Sequence, residues 1–261
     1  SIGAVYLLGK ELYNKRTGLF AALLISLSTF HIQYSQTARM YTMLVFFGTL
    51  SMLFYIRCLS DHSLDNRVGY VITTLAMLLT HPYGSLALLG QLLYLCLQLF
   101  REPQRERIKR WTGTETLTVI PFVPWLGLVA VQRYLVGGQA ETRWLSKVGI
   151  GELRNVAFAY AGVPVNYPTL EINQYTYILG NVFILALVVV VVWKVYDDWR
   201  SDTGVRSASM LATMLLSIVL IPFVISATVF PLFDIRYVIL CLVPAMILVA
   251  NSITDIEYSA L

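Results

Sequence analysis

His31-Ile-Gln-Tyr-Ser-Gln-Thr-Ala-Arg-Met-Tyr41 interrupts two apolar runs of membrane grade, 18–30 before it and 42–56 after it. Such a polar stretch reads as the connection between two membrane-crossing helices, and that reading decides the fold. An arginine at a bilayer boundary is costly unless its head snorkels to water or meets an anion. Arg39 arrives with Tyr34, Gln36 and Tyr41, three side chains able to hydrogen-bond a phosphate or a sugar. The combination suggests a site for an anionic lipid headgroup at a membrane surface.

Composition extends this outward. Hydrophobic residues make up 57% of the chain and charged residues 13%, where soluble domains carry about 25% charged residues. Mean hydropathy is +0.67. This is the composition of an integral membrane protein. The net charge of +4 does not point to nucleic acid, because the basic residues gather in the connections between apolar runs. Cys58, Cys96 and Cys241 all fall in or beside apolar segments, with no CxxC, and read as small hydrophobes.

A crossing helix needs about 20 apolar residues. Candidates lie at 17–30, 40–56, 67–80, 83–100, 115–134, 175–193, 209–230 and 236–251. Residues 1–8 are too short to cross and read as the end of a truncated first helix. The expectation is an all-α polytopic membrane helix bundle of about eight spans plus that partial helix, in one transmembrane domain over 1–261. Alternate connections divide the 19 Lys and Arg unevenly. Arg39, Arg133, Arg143, Lys147, Arg154 and Arg236 fall on one side and the rest on the other, which the positive-inside rule puts in the cytoplasm. The run 101–110 is the strongest inner anchor. On the outer side, 135–174 forms one long connection whose aromatic residues argue against disorder and for short amphipathic helices.

Four outer groups need an explanation: Tyr34/Gln36/Arg39/Tyr41, Thr80-His81-Pro82-Tyr83, Asp234/Arg236/Tyr237, and Arg143-Trp144. Arg39 and Arg236 both stand where a helix begins, and guanidinium groups and helix N-termini favour phosphate. The plain alternatives are a snorkelling anchor for each and, for Arg236, an ion pair with Asp234. His81 beside Pro82 could end a helix by bonding a carbonyl, or serve in binding or proton transfer. HExxH, GxSxG, P-loop and metal-spaced carboxylate patterns are absent. The outer acids are Glu141, Glu152, Glu171 and Asp234.

Tyr34-Ser-Gln-Thr-Ala-Arg-Met-Tyr41, following Gly18-Leu-Phe-Ala-Ala-Leu-Leu and Ser28-Thr-Phe-His-Ile, resembles the signature after the third helix of the polyprenyl-phosphate-sugar glycosyltransferases. This branch of the GT-C superfamily includes protein O-mannosyltransferases and the lipid A aminoarabinose transferase. Residues 8–18 are similar to that family's inner loop, and Thr80-His81 and Arg236-Tyr237 with Pro244 also fit. The resemblance implies inverting transfer of a sugar from a polyprenyl or dolichyl phosphate carrier to a protein or lipid acceptor at the extracytoplasmic face of the cell membrane. It implies that Arg39 and Arg236 hold the lipid phosphate while Tyr34, Gln36 and Tyr41 line the cavity, with His81 and Tyr237 beside them. No cofactor is implied, and no residue pattern supports a divalent metal. The partners implied are the lipid-linked sugar, the acceptor and membrane lipids.

Two departures stand out. Thr37 occupies a position where the family commonly has Glu. The family's catalytic carboxylate lies in a first outer loop that the resemblance puts upstream of Ser1. The expectation is therefore a catalytically silent chain, with Asp234 as the candidate base inside it. The competing classes are a lipid-linked-sugar transporter or flippase, and a polysaccharide polymerase or ligase. Transporters often carry inverted repeats and broken helices in both halves; the chain shows no internal repeat, and its elaborated connections lie on one side.

Overall fold

Among the described residues the long apolar runs are helical. The computed structural model describes residues 1–101, 105–135, 148–162, 174–200, 207–229 and 231–259. The expectations about Gly137-Gly138, Glu141, Arg143-Trp144, Lys147, Pro164, Tyr167 and Glu171 lie outside the described residues. So do the side chains of 101–109, most of the expected basic anchor.

Helices α1 (Ile2–Leu12) and α2 (Lys15–Leu27) form a hairpin. Asn14 starts α2, its side chain accepting a hydrogen bond from the Thr17 amide at 2.9 Å, the usual N-cap arrangement. The two backbones almost touch: a Cβ on Gly18 would lie 2.5 Å from the Tyr6 carbonyl oxygen. Ser28 then closes α2 and opens α3 (Thr29–Ser35), its hydroxyl accepting from the His31 amide, and the axes bend by 64°. The stretch expected to be a connection from residue 31 is thus helical through Ser35, because Ser28 supplies a cap inside an apolar run.

Helices α4 (Tyr41–Ser60), α5 (Leu64–Thr80) and α6 (Gly84–Arg101) run antiparallel in sequence. Pro82 disfavours helical backbone at the residue before it, and His81 is extended, ending α5. Next come α7 (Arg105–Val119), a 3-10 turn at Ile120–Phe122 around Pro121, and α8 (Val123–Leu135). The helix expected to begin at residue 115 begins ten residues earlier. Glu115 marks no boundary because its carboxylate finds a partner inside the bundle: the Tyr70 hydroxyl lies 3.0 Å from Oε1. Helices α9 (Ile150–Tyr160) and α10 (Gln174–Arg200) follow. Helix α11 (Ser207–Leu215) passes through a π-helical turn at Leu216–Leu220 into α12 (Ile221–Thr228), where Pro222 cannot donate to the ladder. A 3-10 turn at Tyr237–Cys241 leads into α13 (Leu242–Ser259), whose first part is buried.

Among the described residues, four helical stretches are long and apolar enough to cross a membrane: Tyr41–Ser60, Gly180–Arg200, Ser207–Thr228 and Tyr237–Asp255. The bent pair α2–α3 makes up to five, and Gly84–Phe100 is a shorter apolar helix. The polytopic helical bundle expected from the sequence is the architecture found. Much of α10 points outward, with Leu185, Val188, Val189 and Val192 exposed. An apolar exterior suits hydrocarbon rather than water.

The bundle has two chemically distinct ends. One carries the Glu11–Arg57 ion pair at 3.1 Å, the Lys194–Asp255 pair, and Asp198, which accepts from the Ser209 amide at 2.8 Å. Between the two ends, about midway along the helices, runs a buried polar chain. Tyr70 lies against both Glu115 and the Gln91 Oε1, at 2.9 Å from the latter. Gln91 donates to Ser51, and Ser51 lies 2.8 Å from the Thr74 hydroxyl. Side chains of α4, α5, α6 and α7 are thereby joined. The other end carries the start of α4, the α5–α6 turn and the 231–236 segment, and about 24 Å of helix separates Tyr41 from Arg57.

These ends make a topology test. In a background without Cys58, Cys96 and Cys241, Gln36→Cys and Asp61→Cys should react with an impermeant maleimide from opposite sides of the membrane. Both positions are exposed. Labelling of the two from the same side would overturn the two-ended arrangement.

Candidate functional site

The end opposite the Glu11–Arg57 pair gathers residues from four parts of the sequence. Tyr34 in α3 and Tyr41 at the start of α4 are both buried, and their rings meet edge to face with centroids 5.1 Å apart. The bend between them is held by Thr37 and Thr42, whose hydroxyls both donate to the Tyr34 carbonyl. His81 is 6% exposed, 6.3 Å from the Tyr41 ring and 4.8 Å from the Tyr237 ring. Tyr237 also lies 4.9 Å from Tyr83 and 6.4 Å from Tyr41. One aromatic cluster results, with Tyr237 at its centre.

The 231–236 segment is built to aim Arg236 at that cluster. Ser226 of α12 accepts from the backbone amides of Leu232 and Phe233, and Tyr83 donates to the Leu232 carbonyl at 2.7 Å. Asp234 accepts from the Arg236 amide and takes the guanidinium in a two-point fork, Nε and Nη2 each at 2.8 Å. The fork engages two of the five donors a guanidinium offers. Arg236 Cζ stands 5.9 Å from the Tyr237 ring centre. The Asp234 hydrogen bond, the largest influence, holds the Arg236 guanidinium above its ordinary pKa against the opposing effect of burial.

Arg39 sits in the exposed bend just before α4. Among the described residues it pairs with no acid. Its charge and that of Arg236 both act on the Tyr237 hydroxyl, so two arginines nearly 200 residues apart in sequence influence one tyrosine. Gln36 is exposed and stands outside the buried cluster.

His81 does not bond a carbonyl from its ring, the role an isolated helix-ending histidine would take. Its Nδ1 instead accepts the Tyr83 backbone N–H at 3.1 Å. Burial lowers its pKa to about 4, so the ring is neutral at physiological pH. Asp234, the in-chain candidate for a base, is committed to Arg236 through both oxygens.

Sequence reasoning gave no role to three contributors. Tyr83 clamps the 231–236 segment, Ser226 fixes its backbone, and Tyr160 of α9 donates to the Val238 carbonyl at 2.6 Å while lying 6.0 Å from Phe30. A tyrosine two residues after His81 was the legible signal. Nothing local marks Ser226 or Tyr160, because their partners are distant in sequence. Among the described residues no group of three or more His, Cys, Asp or Glu side chains could hold a metal ion.

The arrangement offers guanidinium charge for an anion, with aromatic faces and hydroxyls for a polyol. A comparison with protein families gives a match, over residues 1–127, to the model described as dolichyl-phosphate-mannose-protein mannosyltransferase. Neither the curated proteins nor the solved structures give a match.

Proposed function

We propose, from the premise that the match over residues 1–127 supports membership of the GT-C superfamily of glycosyltransferases, that the chain takes part in moving a sugar from a polyprenyl or dolichyl phosphate carrier to a protein or lipid acceptor at the extracytoplasmic face of a membrane. The observation that supports the reading is that Arg236, 5.9 Å from the Tyr237 ring centre, and Arg39 both act electrostatically on the Tyr237 hydroxyl, at one end of a membrane bundle. A phosphate monoanion or a diester between two guanidinium groups gains charge-assisted hydrogen bonds that a neutral lipid cannot. Tyr237, with Tyr34 and Tyr41 packed behind it, forms the wall against which the sugar rests. Asp234 orients Arg236, and none of these residues is assigned as the general base that inverting transfer to a hydroxyl requires.

The test is donor binding and transfer by the full-length protein in nanodiscs, using a polyprenyl-phosphate mannose and the free polyprenyl phosphate as a second ligand. Arg39→Ala should weaken donor binding roughly tenfold, the worth of about 1.4 kcal/mol, because Arg39 is exposed and its contact is partly screened. Arg39→Lys should restore part of that, since an ammonium is a point charge without the planar fork. Unchanged donor binding in Arg39→Ala and Arg236→Ala alike would remove the reading.

A further inference from the structure

His81 has one ring nitrogen already committed, and the partner decides which proton it can carry. A backbone N–H only donates. The Tyr83 amide points at Nδ1 from 3.1 Å, so Nδ1 holds a lone pair there and bears no hydrogen. A neutral imidazole has a single N–H, and it must then sit on Nε2. The turn that makes this contact is itself fixed: Pro82 keeps His81 extended, the Gly84 amide donates to the His81 carbonyl at 2.8 Å, and the Tyr83 hydroxyl is tied to Leu232. Among the described residues Nε2 meets no hydrogen-bond partner. The ring is nonetheless buried between Tyr41, Tyr83 and Tyr237, beside the residue that follows Arg236.

We propose that His81 is held as the Nε2–H tautomer and serves as a neutral hydrogen-bond donor to an oxygen of the bound phosphate, and that it is not a base or a proton shuttle. This rests on the phosphate-binding reading of the same cluster and adds a third, uncharged donor to it. The Nε2 atom is not sealed from its surroundings, so an oxyanion delivered near Arg236 can reach it as the acceptor. A base would need the Nε2 lone pair, which this tautomer lacks. The titratable groups packed against the ring are Tyr41, Tyr83 and Tyr237, and the charges of Asp234 and Arg236 lie on the 231–236 segment that leads into Tyr237.

Two substitutions separate the ring's two jobs. The carboxamide of His81→Asn reaches the Nδ1 position and can accept the Tyr83 amide, but leaves nothing at Nε2. The longer His81→Gln brings an N–H to the Nε2 position. In the full-length protein, His81→Gln should bind polyprenyl phosphate within about threefold of wild type, and His81→Asn should lose about tenfold. The pH profile of transfer from 6 to 8 should be the same for wild type and His81→Gln. If His81→Gln binds normally but turns over as poorly as His81→Asn, His81 is the base and the proposal is wrong. An independent readout needs no activity. The chain has three histidines, and ¹⁵N-histidine spectra of wild type against His81→Gln isolate the signal of His81. It should show a protonated Nε2, unchanged from pH 6 to 8; a protonated Nδ1, or titration in that range, would overturn the tautomer. Loss of binding in Arg236→Ala, with His81→Asn unaffected, would leave the phosphate site standing and remove only the part given to His81.

Discussion

Arg236→Ala should be the most damaging single change in the cluster, lowering stability by about 1–3 kcal/mol and donor binding by at least roughly a hundredfold. The Asp234 side chain is only 15% exposed and its two oxygens face the guanidinium. Removing the arginine strands a carboxylate in a poorly hydrated place, and the 231–236 segment loses the contact that shapes it. The double variant Asp234→Asn/Arg236→Ala separates the two losses. It should regain most of the thermal stability, because no charge is left unpaired, while donor binding stays lost. Thermal unfolding in detergent and donor binding in nanodiscs measure the two. If binding returned together with stability, Arg236 would be a structural residue only.

The second large effect lies far from the cluster, in the α1–α2 hairpin. Gly18→Ala should cost about 3 kcal/mol or more, at or above the usual range for overpacking. The added Cβ would stand 2.5 Å from the Tyr6 carbonyl oxygen and 2.9 Å from the Lys10 nitrogen. Both are backbone atoms of the facing helix, so no side chain can swing aside. Close helix approach at small residues is a main source of packing energy in lipid. Gly3 is the internal control: a Cβ there meets nothing within 4 Å, and Gly3→Ala should be neutral or stabilising by about 0.5–1 kcal/mol, the ordinary gain in a helix. Equal melting shifts for the two alanines would show that the hairpin is looser than described.

The helices were legible because an apolar run in a membrane protein has almost one conformation open to it. Breaks within runs were not. Ser28 splits α2 from α3 by a cap that looks like any other serine, and the start of α7 was hidden by the charged residues of 105–115. Tyr34, Tyr41, His81, Arg236 and Tyr237 could be singled out because each lies at the end of an apolar run and alternation put all those ends on one side. Their mutual distances could not be read, and neither could the two-point hold of Asp234 on Arg236, although its spacing of two residues had raised the ion pair as one alternative. The polar residues within the runs, Ser51, Tyr70, Thr74 and Gln91, drew no attention because each is tolerable alone. Only packing reveals that they form one chain ending on Glu115.

That chain bears on how the protein is made. Helices leave the insertion machinery in order, and α4, α5 and α6 reach lipid before α7 exists. Until then Tyr70 and Gln91 have each other and Ser51, but no acid. The arrival of Glu115 completes the set, and because each polar side chain has its partner at one height only, sliding any of the four helices by a turn would leave groups unmatched in hydrocarbon. The chain thus ties the heights of the four helices to one another, and a nascent protein without α7 holds only part of it.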